Sequence, residues 1–454
     1  TDQLYEDLLS QASRGYIEDT ERLVKYLISE RAQQPNLRLY RALVLANINP
    51  PHGSAESVIS ILQELADEGL EPDAALCHSV IKVLAVHPDF ILRNEVLEYV
   101  SQRWYNLPSS YHYDVVSGLI REGQFEMAIK KLEDMWVRAI PFPNWLRGML
   151  IHSLCNVEEI EEAFRQVKLA EEQAPNALTG PIWYHFLDAA SSIHHYDATL
   201  HAWKRRISTW YLNPPTGICL NVLETASRAG DVKLALDVFR VLGNRKHVFT
   251  VDQYDALIDT HIKEKNLPGA FSIMCTMASA GVSPDRGSTR STFTYMKESK
   301  TNWNTTMGML QYLKRQGKDI PVEAVNVVLE TMASSAQMLG PAMDIYNNLH
   351  ELCKFGANIT TFSHLFRCCR TSINADRKDT AMYLASEMIA LKVTPNATVF
   401  DDIIGTCTRT GDLDYAIQYY AEMRDANFKP TEATLNQLTV ALAKNKDRRC
   451  YQLL

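Results

Sequence analysis

Several ingredients are missing from this 454-residue chain. No run of about 18 apolar residues occurs, so no segment is built to span a membrane as a helix. A net positive charge is also missing: 46 Lys and Arg face 54 Asp and Glu, for a formal charge of −8. No global field draws a polyanion in, and any nucleic-acid contact has to be local. The nine cysteines are odd in number, scattered, and contain no C-x-x-C pair. That implies neither a disulfide framework nor a zinc site, and reads as reduced core thiols in a reducing compartment. Sustained alternation and Asn-Gly turns, the marks of strands and hairpins, are absent. So are a phosphate loop and a nucleophile elbow. The chain opens at Thr1 without a methionine or an Arg-rich leader, which reads as a processed or trimmed start.

What is present is a repeat. Hydrophobic residues make up 46% and charged residues 22%, the composition of an ordered chain. A single core stops growing at roughly 250–300 residues, a limit that a repeat array escapes. Three segments align without gaps: 121–128, 228–235 and 409–416 each run from an arginine through a glycine two residues later to an alanine five beyond it. Gly123, Gly230 and Gly411 suit the left-handed residue that ends a helix. Ala128, Ala235 and Ala416 are small enough to let two helices approach. A second landmark is the turn at Pro72-Asp73, Pro284-Asp285, Pro395-Asn396 and Pro430-Thr431, where proline ends one helix and its neighbour caps the next. Pro395 to Pro430 and Ala235 to Ala270 both measure 35 residues.

Between landmarks the apolar pattern is helical: Tyr254, Leu257, Ile258 and Ile262 form one stripe, and Ala270, Ile273, Met274 and Met277 a second. The pattern predicts an all-α, right-handed α-solenoid of twelve helix-turn-helix hairpins and a partial thirteenth, running continuously over 1–454. The spans are 1–36, 37–73, 74–108, 109–143, 144–179, 180–215, 216–250, 251–285, 286–321, 322–358, 359–396, 397–431 and 432–454. The repeats at 216–285 and 359–431 are the most regular, and those at 1–215 the least. Insertions are expected at Pro50–Gly53 and Ser372–Lys378. Such units lean on their neighbours and offer an extended inner surface for a ligand.

These residues resemble the pentatricopeptide repeat family, whose unit runs V-x-Y-N-x-L-I, K-x-G-x-x-x-x-A, F-x-x-M and G-x-x-P-D. Residues 251–285 match through Tyr254, Leu257, Ile258, Ala270, Met277, Gly281, Pro284 and Asp285, and 397–431 through Phe400, Ile403, Gly411, Ala416, Tyr420, Met423 and Pro430. The tetratricopeptide start, Trp-x-x-Leu-Gly-x-x-Tyr, is not found. The resemblance implies an organellar, mitochondrial (matrix) protein that binds single-stranded RNA, messenger or ribosomal, without a cofactor or small-molecule substrate. It implies further that two positions of each unit read one base. They fall on Asp255 with Asp285, Asn326 with Asn358, Ser363 with Asn396 and Asp401 with Thr431, while Asn436 opens the partial unit. Asn/Asn is similar to a pyrimidine-reading pair and Ser/Asn to an adenine-reading one; the two Asp-led pairs are similar to neither. Earlier units depart further, with Arg41, His78, Tyr113, Tyr184, Leu220 and Arg290 at the first of the two positions.

A base read by hydrogen bonds or stacking contributes on the order of 1–3 kcal/mol. Two well-formed pairs on an acidic chain therefore argue against sequence-specific reading by the whole array. One stretch offers backbone contacts: residues 286–318 carry Arg286, Arg290, Lys297, Lys300, Lys314, Arg315 and Lys318 against Glu298 alone. The histidines of 183–203 read as packing and solvated groups. Asp401-Asp402 and the acidic run Glu158–Glu162 read as solvated helix faces. Two functions remain: an RNA-associated factor in organellar gene expression, or a scaffold for proteins such as those of the mitochondrial ribosome or a respiratory complex under assembly.

Overall fold

A computed structural model describes residues 2–174, 176–207, 213–335, 337–373 and 376–452. The chain divides into two compact units, residues 1–218 and 219–454. Each is an all-α repeat solenoid, and the hairpins fall where the sequence pattern sets them. In the first unit the pairs are Asp2–Ser13 with Ile17–Ser29, Leu37–Ala46 with Ala55–Asp67, and Ala74–Leu84 with Phe90–Gln102. Ser110–Arg121 with Phe125–Val137, Asn144–Asn156 with Ile160–Gln173, and Gly180–Ser192 with Tyr196–Ala202 follow. The seventh hairpin, Thr216–Ala229 with Val232–Asn244, opens at the boundary.

The second unit continues with Val251–Lys263 and Leu267–Ser279, Arg286–Glu298 and Trp303–Arg315, and Val322–Ala333 and Leu339–Asn347. Ile359–Thr371 with Arg377–Ala390, Ala397–Thr410 with Leu413–Asp425, and the lone Glu432–Lys444 complete it. Within each unit, the first helix of a hairpin packs chiefly on the first helices of its neighbours, so these helices form one continuous layer. Among the described residues, β pairing is confined to a single bridge between Ile320 and Cys353. Among them, too, no helix is long and apolar enough to cross a membrane.

Local chemistry explains the boundaries. Gly123, Gly230 and Gly411 sit at φ +75°, +76° and +84°, the left-handed region that a side chain resists. Asp73, Asp285, Asn396 and Thr431 each accept a backbone N–H three residues on, from Leu76, Ser288, Val399 and Thr434. Ala128, Ala235 and Ala416 are fully buried, which fits their role as close-approach positions. At the second-hairpin insertion, a Cβ on Gly53 would lie 1.9 Å from the Asn47 carbonyl oxygen, so only glycine fits that turn. Of the insertion expected over Ser372–Lys378, residues 374 and 375 lie outside the described residues.

The second unit is filled by one apolar cluster running from Ile258 to Leu442. Eight of the nine cysteines are buried, and burial pushes thiols such as Cys155 and Cys368 up to about 12. Two hairpins depart from the regular pattern. In the sixth, the second helix stops at Ala202 and runs on as a π-turn, Trp203–Ile207, that buries Trp203. In the tenth, the second helix breaks at Asn348, whose side chain bonds back to the Asp344 carbonyl, before a last turn Leu349–Leu352.

Candidate nucleic-acid interface

The second, fifth and ninth residues of a helix share one face. In the tenth hairpin these are Glu323, Asn326 and Glu330, and in the eleventh Thr360, Ser363 and Arg367. With Asp285 and Arg286 from the ninth, and Asn358, Asn396 and Thr398 from the caps and the twelfth, they line a groove of about 380 Å³. The two pairs singled out by sequence, Asn326 with Asn358 and Ser363 with Asn396, thus meet in one place.

They meet in different states. Asn326 is 4% exposed; its amide donates to Asn358 Oδ1 at 3.1 Å and accepts from the Thr361 hydroxyl at 2.8 Å. Asn358 also caps its helix through Thr361 N. Asn396 caps through Val399 N and accepts from Thr398, while the half-buried Ser363 hydroxyl has no hydrogen-bond partner among the described residues. Asp401, 5% exposed, accepts the Thr431 backbone N–H at 3.2 Å, so that pair is spent inside the fold. The Asp255 carboxyl is pushed up to about 6, chiefly by burial, with Asp285, Asp259 and Asp252 adding and a hydrogen bond from Ser288 opposing. Asn436 lies exposed on Glu432–Lys444 at the equivalent fifth position.

The family model described as pentatricopeptide repeat-containing protein matches residues 216–349. Residues 216–349 therefore carry the pentatricopeptide repeat pattern. Similar solved structures include the pentatricopeptide repeat protein PPR10 from maize, at 13% identity and a TM-score of 0.34, covering 98% of this chain and 71% of that one. PPR10 in complex with an 18-nt psaJ RNA element is another, at 12% identity and a TM-score of 0.35, covering 99% of this chain and 78% of that one. No curated protein matches the chain.

The basic stretch 286–318 is divided by its own hairpin turn. Arg286 and Arg290 ride the first helix, with Arg286 in the groove. Lys314 and Arg315 stand in the last turn of the second helix and line a separate hollow of about 420 Å³ with Trp303 and Asp344. Lys318 donates to Ser272 Oγ. Within the groove itself, Arg286 and Arg367 face Asp285, Glu323 and Glu330.

The reading of Asp401-Asp402 as a solvated face is corrected by the structure: both are 5% exposed. Asp402 is held by Arg370 Nη1 at 3.0 Å, with Arg367 Nε at 3.9 Å. Sequence reasoning missed His364 and Arg367, which lie four and seven residues on from Thr360 on the same helix and line the groove beside Glu330. There, burial pushes the His364 imidazole down to about 4, with Arg367 and Arg286 adding. Of the acidic run, Glu158, Glu159 and Glu161 are exposed, the first two ahead of the helix Ile160–Gln173, while Glu162 is half-buried and accepts from Arg165 and Gln166. The histidines of 183–203 pack: His201 meets Glu171 at 2.7 Å and stacks near Trp183, and His195 caps through Ala198 N. Among the described residues, no three His, Cys, Asp or Glu stand together as metal ligands.

Proposed function

We propose that this protein binds single-stranded RNA along the first-helix faces of its hairpins and acts, without catalysing a reaction, in mitochondrial gene expression. Messenger RNA stability, processing or translation, or work on the mitochondrial ribosome, are the processes that this reading covers. The observation that carries it is the convergence of Asn326, Asn358, Ser363 and Asn396 in one groove beside Arg286 and Arg367. Amide and hydroxyl groups there suit a base edge, and the guanidinium groups suit phosphate. The mitochondrial address derives from the family resemblance. A mobility-shift titration with single-stranded and duplex RNA tests the binding: the single strand shifts and the duplex does not. Absence of any shift would remove the RNA reading.

One observation favours a second reading, a protein-binding scaffold for a respiratory-complex assembly step or for the mitoribosome. In hairpins seven to thirteen, the second, fifth and ninth first-helix positions hold Glu224, Asp252, Asp255, Asp259, Glu323, Glu330 and Asp401 against Arg290 and Arg367 alone. Such a face repels phosphate and suits a basic polypeptide. Affinity capture from mitochondria with and without ribonuclease separates the two, since protein partners that survive the nuclease support the scaffold.

A further inference from the structure

Lys314 and Arg315, part of the basic stretch, have no place in the groove. They stand in the last turn of Trp303–Arg315, the second helix of the ninth hairpin. The second helix of the tenth hairpin, Leu339–Asn347, breaks at Asn348 and resumes as the turn Leu349–Leu352. Between the two lies the hollow of about 420 Å³, within the roughly 300–1,000 Å³ of clefts that hold ligands. Its floor is apolar: Met307, Ile345 and Leu352 are buried there, and half-buried Trp303 adds a ring. Its two walls carry opposite charge. The ninth hairpin contributes Lys314 and Arg315, the tenth Asp344 and Glu351. Among the described residues, no salt bridge or side-chain hydrogen bond joins one wall to the other or occupies any of the four charged groups.

We infer that this hollow docks a segment of a partner protein. The segment sets a large apolar side chain on the floor, with an acidic residue toward Lys314 and Arg315 and a basic residue toward Asp344 and Glu351. Charge complementarity selects this occupant. RNA carries charge of one sign and would bring phosphates against the acidic wall. A polypeptide supplies both signs and the apolar anchor together, and an anchor seated inside a polar rim is where protein interfaces concentrate their affinity. A free small molecule is enclosed over roughly 70–90% of its surface in its site, whereas here Arg315, Asp344 and Glu351 are exposed and the rim is open to water. The inference is independent of the RNA reading, because the hollow lies between second helices and the groove is lined by first helices and their caps.

A phage-displayed random-peptide library panned on the full chain tests it. Panning enriches peptides with a large apolar residue that has an acid on one side and a base on the other. In fluorescence anisotropy, a labelled synthetic copy of the enriched sequence binds Lys314→Glu with Arg315→Glu roughly tenfold more weakly than wild type, and Asp344→Lys with Glu351→Lys as weakly. Three of these residues are exposed and Lys314 is half-buried, so both double variants keep the wild-type melting temperature, which separates lost docking from lost fold. Failure to enrich any peptide, enriched peptides that lack either charge, or affinity unchanged in either double variant overturns the proposal. A fall in RNA affinity in Lys314→Glu with Arg315→Glu gives these cations to RNA and overturns it as well.

Discussion

The Asn326 side-chain amide donates to Asn358 Oδ1 at 3.1 Å, so the two groups best placed to read a base are already bonded to one another. Thr361 and Glu323 close the same network, at 2.8 Å to Asn326 Oδ1 and 3.4 Å from Asn358 Nδ2. A base edge entering here replaces bonds rather than adding them, and the net gain is small. Ser363, one hairpin on, has its hydroxyl to offer. Ser363→Ala therefore lowers RNA affinity by roughly 1 kcal/mol, about fivefold or more. Asn326→Ala costs more in stability than in affinity, about 1–3 kcal/mol, because it strips a partner from buried polar groups. Leu220→Ala leaves affinity unchanged. Parallel binding and urea titrations check this, and equal affinity losses at the three positions would refute base reading in the groove.

The Arg370–Asp402 pair ties the eleventh hairpin to the twelfth. Asp402 is buried, and burial pushes its carboxyl up while Arg370 works against that shift. Removing the arginine leaves a buried carboxylate with Arg367 at 3.9 Å as its nearest cation. Arg370→Met is expected to cost about 3–5 kcal/mol, and Arg370→Met with Asp402→Leu much less, since the pair then departs together. Urea midpoints of the single and double variants decide it; a double variant as unstable as Arg370→Met contradicts the account.

Asp255 and His364 give opposite slopes to stability against pH. Asp255 has its folded value raised from 3.8 to about 6, so the folded state holds the proton more tightly and stability falls as pH rises through that window. His364 has its folded value lowered from 6.5 to about 4, so the unfolded state binds the proton more tightly and stability rises across about the same range. Asp255→Asn therefore stabilises at pH 7 relative to pH 4.5, and His364→Gln stabilises at pH 4.5 relative to pH 7. Melting temperatures of both variants at the two pH values test the signs, and a shift of the same sign for both would contradict the assignment.

Much of this was legible from sequence because it is local. The glycines at 123, 230 and 411, the caps at 73, 285, 396 and 431, and the apolar stripes between them are set by residues within four positions of one another. The register that places Asn326 and Ser363 on one face is local too. Burial is not local. Asp401-Asp402 reads as a solvated pair until Arg370, from the preceding hairpin, is packed against it and Gly405 leaves the space, a Cβ there lying 2.7 Å from Arg370 Nε. The basic stretch 286–318 misled for the converse reason: neighbours in sequence are sent to different faces by the turn at 299–302. Nothing in the sequence distinguishes the exposed Trp145 from the buried Trp183 and Trp203.

The salt dependence of single-stranded RNA binding, measured by filter retention of a mixed-sequence strand, is the most direct test. Two phosphates neutralised by Arg286 and Arg367 give a slope of log K against log salt of about −1.4, at about −0.7 per phosphate, and replacing the two by alanine flattens it. Saturable binding with that slope, lost from the double variant, supports an RNA-binding surface on the first-helix faces. No retention of RNA at any salt concentration would contradict it.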